Sequence, residues 1–443
     1  MRILSIQVAP VVRVSTIVYA VFGVVSFLQY AFTSANAQAS HPVEPKAGVG
    51  HTVQVPFRYD HPELGRFELY YELGRTFDAA KPTVFVVGDG QQFYVRKGLI
   101  APLQEEIFGD RFNVVGLIGR GVNDSVLQRV KHGASIDWLE AYEVFQSSQW
   151  VEDIESVRKD LLGASGKICL YGRSGGATLV HEFLVKHPEH VVAVFTQASY
   201  NPFLDVEFGL SSDTFWDEIG RSDAALQPML LEALSRHPSE RSRIVLLLQR
   251  QNFFVPADQI AAQRANLIHD LHNWDRSLID KLSVDYQVTA MLEELATPDP
   301  AANVREFELY APIFAQRQGR TKQRVDPDFE VSELFSQPLL DMLRNKQIAV
   351  PRMDLHSAHR VEADVFLLAG RFDHDVDYRS QLALASAYPN HRLLLLSDGH
   401  TFLALNKTGL YPQLVQAALA GGVNGPTVAG IEGQLDPLVY REF

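Results

Sequence analysis

Apolar positions fall into two patterns along this chain. Residues 52–55 and 67–71 alternate apolar with polar side chains, and turn residues around Asp60-His61-Pro62 separate them. Alternation of period two predicts strands with one buried face. Six later runs are almost continuously apolar: 83–87, 112–118, 167–171, 190–196, 364–369 and 392–396. Strands read this way when both faces are covered, as in a parallel sheet between layers of helices. Helical periodicity over 92–107, 150–163, 177–187, 378–388 and 408–419 fills the gaps. Strand and helix in alternation predict an α/β fold with right-handed crossovers.

Residues 201–360 depart from this rhythm. Strand-like runs are scarce there, and amphipathic helical segments predominate at 222–236, 256–270, 274–296 and 331–345. The run 243–248 is too short to assign. A stretch of mainly helical pattern between two sheet strands predicts an insertion, a cap over the carboxyl edge of the sheet. The expected organisation is a core in two parts, 38–200 and 361–443, around a helical cap at 201–360.

Residues 1–37 stand apart. Arg2 and Arg13 are their only charges, an apolar stretch runs over 14–32, and Ala35-Asn36-Ala37 precedes Gln38. Small residues at that spacing fit a secretory cleavage site. The reading is a bacterial-type signal peptide, giving a secreted or periplasmic protein. The alternative is an uncleaved anchor in the inner membrane facing the periplasm, because the apolar stretch is long enough to span. Only that alternative makes the membrane a partner.

Composition narrows the chemistry. The chain has 443 residues, 46% of them hydrophobic, and a formal net charge of -13. An acidic balance argues against a nucleic-acid partner, since phosphate binding needs a basic face. The single cysteine, Cys169, excludes an internal disulfide framework and a thiolate metal cluster. It lies in the apolar run Ile168-Cys169-Leu170 and reads as a small buried hydrophobe.

The third continuous run ends in Gly172-Arg173-Ser174-Gly175-Gly176, followed by a helical pattern. Such a turn either packs tightly, binds phosphate, or thrusts one side chain out. G-x-S-x-G between strand and helix does the last: small residues two before and two after let Ser174 take a strained conformation. The helix begins beneath it, so the Gly175 N–H faces any oxyanion formed at the serine. A serine hydroxyl needs a base, and the base an orienting acid. The fifth run is followed by Gly370-Arg371-Phe372-Asp373, and the sixth by Ser397-Asp398-Gly399-His400. His400 is the expected base and Asp373 the expected acid, with Asp375 and Asp377 as rivals in the same loop. That aspartate cluster also raises a metal site, but loop carboxylates are usually just solvated. A second oxyanion donor is expected after the first continuous run, at Gly90 or Gln91 in Gly88-Asp89-Gly90-Gln91-Gln92.

These motifs resemble those of α/β-hydrolases, in particular the proline-iminopeptidase-like group. Arg120-Gly121-Val122-Asn123-Asp124-Ser125 is similar to that group's R-G-x-G-x-S turn, with Asn123 in place of a glycine. Asp153-Ile154-Glu155-Ser156-Val157-Arg158 is similar to its D-I-E-x-x-R helix, and the turns at 174, 373 and 400 follow the Ser, Asp, His chain order. The resemblance spans roughly 80–200 and 360–420. It implies a mostly parallel central sheet flanked by helices, an inserted helical cap, and a serine hydrolase that needs no cofactor. Its substrate is a short peptide or another small molecule. Two features depart from the group: the usual H-G-G-P-G loop reads Gly88-Asp89-Gly90-Gln91-Gln92, and Gly175 stands where a tryptophan is usual. No cap segment aligns with the glutamates that hold a substrate amine in those peptidases. An aminopeptidase is therefore the first expectation, a carboxylesterase the second, and a non-catalytic binding protein on the same fold the third.

Overall fold

The computed structural model describes residues 48–89, 94–210, 214–317, 324–350, 355 and 357–441. The segment read as a signal peptide lies outside them, as do Gly90 and Gln91. Among the described residues, no helix is long and apolar enough to cross a membrane.

Eight strands form one sheet: β1 (Val49–Pro56), β2 (Arg66–Leu73), β3 (Thr83–Val87), β4 (Asn113–Leu117), β5 (Ile168–Arg173), β6 (Val191–Gln197), β7 (Asp364–Gly370) and β8 (His391–Leu396). Their order is β1-β2-β4-β3-β5-β6-β7-β8. Strand β2 runs antiparallel to both neighbours. From β4 onward every pairing is parallel. Each predicted strand has its counterpart here.

Parallel strands buried on both faces must feed two cores, and they do. Ile168 and Leu170 of β5 pack with Val365 and Leu367 of β7 on one face. Cys169 and Tyr171 pack with Phe366 and Leu368 on the other. Cys169 is buried, as its apolar run implies, and burial pushes its thiol up to about 12.

Two of the motifs that carried the family resemblance are tied by buried ion pairs. Arg120 holds Asp153 through two hydrogen bonds, 2.8 and 2.7 Å, and donates to the carbonyls of Phe57 and Val144 at 2.8 Å. Arg158 holds Glu155 at 2.7 and 2.8 Å on helix α1 (Ser147–Leu162). Asn123, where the group has glycine, caps the helix Asp124–Val130 by accepting from Ser125 N–H and Val126 N–H. A side-chain cap gives this position a use that glycine lacks.

The chain then enters α2 (Gly175–Lys186), behind β5. Between β6 and β7 the described residues hold nine α-helices and no strand. Four of them matter below: α3 (Arg241–Phe254), α4 (Val288–Ala296), α5 (Pro300–Arg317) and α6 (Pro327–Arg344). Most of this segment builds a core of its own, with Phe215, Leu230, Leu247, Ile268 and Val288 at its centre. Helix α5 differs, since Val304, Phe307 and Tyr310 join the core of the sheet.

Two helical readings need correction, and one unassigned run finds its place. The run 243–248 lies inside the 14-residue α3, where Ile244 to Asn252 are all buried. A helix covered on every side shows no amphipathic period. The segment 274–296 is two helices, Arg276–Asp285 and α4, parted at Gln287 with φ 61°. Among the described residues of the segment 92–107, which begin at Tyr94, the first helix starts at Ile100, after Gly98 at φ 83°.

Candidate active site

Three loops meet at the carboxyl edge of the parallel strands, where α/β sheets place their ligands. The first leaves β5. Ser174 has φ 50° and ψ -126°, a backbone region almost reserved for glycine. Its surroundings hold it there. The Ser174 N–H donates to the Gln197 carbonyl at 3.0 Å, and α2 starts with Thr178 N–H donating to the Ser174 carbonyl at 3.2 Å. A Cβ on Gly172 would stand 2.8 Å from the Gly176 oxygen, and one on Gly176 would collide with the Val87 carbonyl. The glycines therefore permit strand, turn and helix to approach this closely. Tyr94 stitches the turn to β3: its hydroxyl accepts from Arg173 N–H at 2.9 Å and donates to the Val87 carbonyl.

The second loop leaves β7. Asp373 is buried, and its Oδ1 accepts from Asp375 N–H at 2.9 Å and Val376 N–H at 3.0 Å. The third leaves β8. Asp398 braces it by accepting from the backbone N–H groups of Gly399 and Leu405, both at 2.9 Å. Thr401 Oγ1 donates to the Phe253 carbonyl at 3.2 Å, which ties this loop to α3.

His400 stands between the other two. Its Nε2 lies 3.2 Å from Ser174 Oγ, and its Nδ1 lies 2.9 and 3.0 Å from the Asp373 oxygens. Asp375 is a more distant neighbour, with Oδ2 3.9 Å from the same Nδ1. Asp377 is elsewhere engaged, accepting from Arg379 N–H as the cap of the helix Tyr378–Ser386. Burial is the largest influence on His400 and favours the neutral ring. The Asp373 charge and hydrogen bond, with Asp375 adding and Arg250 opposing, outweigh it and push the imidazole up to about 9. Phe253 covers the ring edge-on at 5.0 Å between centroids.

Gly175 opens α2 directly after the serine. The Asp89 carboxylate lies where a side chain of residue 175 would begin. Gly90 and Gln91, expected to supply a second donor, lie outside the described residues. Among the described residues, no group of three or more His, Cys, Asp or Glu side chains is placed to hold a metal ion.

Ser174 opens onto a cavity of about 540 Å³ roofed by the helical segment. Its wall includes six carboxylates, Glu293, Glu294, Asp299, Glu306, Asp328 and Asp375, and three cations, Arg96, Lys131 and Arg250. Burial, reinforced by Asp299 and Glu306 and opposed by Arg96, pushes Glu294 up to about 7. Sequence reasoning missed most of this wall. Part of it, Ala302, Glu306, Leu309 and Tyr310, lies on α5, which the pattern had not resolved because Pro312 interrupts its interior. The apolar spacing Val304, Phe307, Tyr310, Phe314 was the available signal.

No family model matches the sequence, and no curated protein matches it. Solved structures do. A proline iminopeptidase from Mycobacterium smegmatis is 14% identical, with a TM-score of 0.41, over 86% of this chain and 100% of that one. An esterase from Exiguobacterium antarcticum is 14% identical, with a TM-score of 0.41, over 83% and 98%. MGS-M2, an α/β hydrolase from a Medee basin deep-sea metagenome library, is 11% identical, with a TM-score of 0.38, over 85% and 96%. The fold assignment stands on the sheet itself: eight strands in the order above, the second antiparallel, with a serine on the strand-to-helix turn after β5. That is the α/β-hydrolase fold, with a helical segment inserted between β6 and β7.

Proposed function

We propose that this chain is a serine hydrolase that cleaves an amide or ester bond through an acyl-enzyme, and that it acts as an aminopeptidase. One observation carries the hydrolase reading: Ser174 Oγ, His400 and Asp373 lie in series at hydrogen-bond distance. In the first step Ser174 Oγ bonds to the substrate carbonyl carbon while its proton passes to His400 Nε2. Asp373 fixes the ring and stabilises the imidazolium. The Gly175 N–H faces the oxyanion, with a second donor from Gly90 or Gln91. His400 then protonates the leaving group as its bond to carbon breaks. Water, deprotonated by His400, releases the acyl group and restores the serine.

The aminopeptidase reading draws on the cavity. Six carboxylates against three cations favour a substrate with a positive charge, such as a free amine. A volume of about 540 Å³ accommodates a short peptide. The test compares amino-acid p-nitroanilides, their N-acetylated forms, and p-nitrophenyl esters. This reading expects the free-amine anilides to give the highest kcat/KM. Turnover of esters alone would make the protein a carboxylesterase.

A further inference from the structure

Helix α5 sends one charged side chain into the back of the serine turn. Arg305 is buried at 1% exposure, and its Nη2 donates to the Gly175 carbonyl at 3.1 Å. Its Nη1 faces Glu308 at 3.1 Å and Glu182 of α2 at 3.7 Å. Among the described residues, its Nε has no hydrogen-bond partner. Asp89, buried and pressed against Gly175, also acts on Arg305: burial opposes the guanidinium charge, and Glu182, Glu308 and Asp89 together outweigh that opposition. A carboxylate this close to the first residue of α2 poses a problem for the proposed chemistry. In a site closed to water, a fixed negative charge beside the oxyanion donor destabilises the oxyanion. A fixed positive charge on the far side of the same residue offsets it. Burial raises Glu308, and the adjacent Arg305 guanidinium draws it back down.

We infer that Arg305 is a positioning residue that keeps the Gly175 turn able to hold an oxyanion beside the Asp89 carboxylate. This rests on the serine-hydrolase reading above. It gives the helical segment a part in the chemical step as well as in forming the cavity.

The test measures kcat and KM on p-nitrophenyl acetate, and inhibition by trifluoroacetophenone, whose serine-bound hemiketal bears the oxyanion. The variants are Arg305→Met, Arg305→Lys, Asp89→Asn and the Asp89→Asn/Arg305→Met pair. Arg305→Met is expected to lower kcat by about 10- to 100-fold with KM changed less than about threefold, and to weaken the ketone in proportion. Arg305→Lys should recover part of that loss, and Asp89→Asn in the Arg305→Met background at least about tenfold. Melting temperatures are compared alongside, because deleting a buried charge also relieves a purely structural loss; a kcat regained without a parallel gain in Tm is the mark of the positioning role. Wild-type kcat in Arg305→Met, or a loss that Asp89→Asn leaves unchanged, overturns the inference. If Arg305→Met does not fold, Asp89→Asn alone decides. It is expected to raise kcat and tighten the ketone by about threefold or more, and a fall in both overturns the inference. Wild type is first reacted with a fluorophosphonate. Labelled wild type beside a failed rescue overturns the inference alone, and unlabelled wild type overturns the hydrolase reading with it.

Discussion

His400 Nε2 lies 3.2 Å from Ser174 Oγ although 226 residues separate them, and more than half of those residues form the helical segment between β6 and β7. The two side chains meet because β5 and β8 run in the same direction in one sheet. Each leaves its loop at the same edge.

Distance favours Asp373 as the acid of the proposed triad. Asp373 touches His400 Nδ1 with both oxygens, whereas Asp375 stands at 3.9 Å. Asp373→Asn should cut kcat by on the order of 10⁴, because the amide imposes the wrong ring tautomer. Asp375→Asn should cost less than about tenfold. Steady-state kinetics on one p-nitrophenyl ester checks both, and the reverse ranking would assign the role to Asp375.

The sheet was legible in the sequence because strands covered on both faces leave uninterrupted apolar runs. The turns were legible because glycine marks sites of close approach, as at Gly172 and Gly176. The roof was less so. Ile244 to Asn252 are buried on every side and carry no period, and Pro312 disguises α5. Arg305 could not be read at all: its partners Gly175 and Glu182 are distant in the chain and meet it only through tertiary packing. The cavity's carboxylates were likewise scattered over several helices, with no spacing to betray them.

Activity should rise with pH. The proposed reaction needs neutral His400, and Asp373 holds the ring's proton up to about 9. The expected kcat/KM profile of the free enzyme therefore climbs through a midpoint above 6.5, toward about 9. The linked effect on stability has the opposite direction. A folded-state value above the unfolded one adds stability fully present below about pH 6.5 and lost as pH rises through about 9. The melting difference between wild type and His400→Ala should shrink over that window. A midpoint below 6.5 would contradict this ion pair.

Strain at Ser174 is measurable apart from catalysis. Both Ser174→Ala and Ser174→Gly remove the hydroxyl and should abolish turnover while the protein stays folded. At φ 50° alanine keeps the strain and glycine releases it. Ser174→Gly should be the more stable by about 1 kcal/mol in urea unfolding.

Arg120 should be a weak point of the fold. It and Asp153 are fully buried, joined by two hydrogen bonds. Arg120→Met leaves a buried carboxylate without its cation and should cost about 3–5 kcal/mol. The Arg120→Met/Asp153→Leu pair should cost less than the single change, and thermal melting of the three proteins decides it.

The central claim is that Ser174 is a nucleophile activated by His400. The most direct measurement is reaction of the purified protein with a fluorophosphonate probe, read by intact mass. The account predicts one adduct on wild type, mapped to Ser174, with none on Ser174→Ala and at least about 10³-fold slower labelling of His400→Ala. A folded wild type that takes no label, or a Ser174→Ala protein that labels equally well, would contradict it.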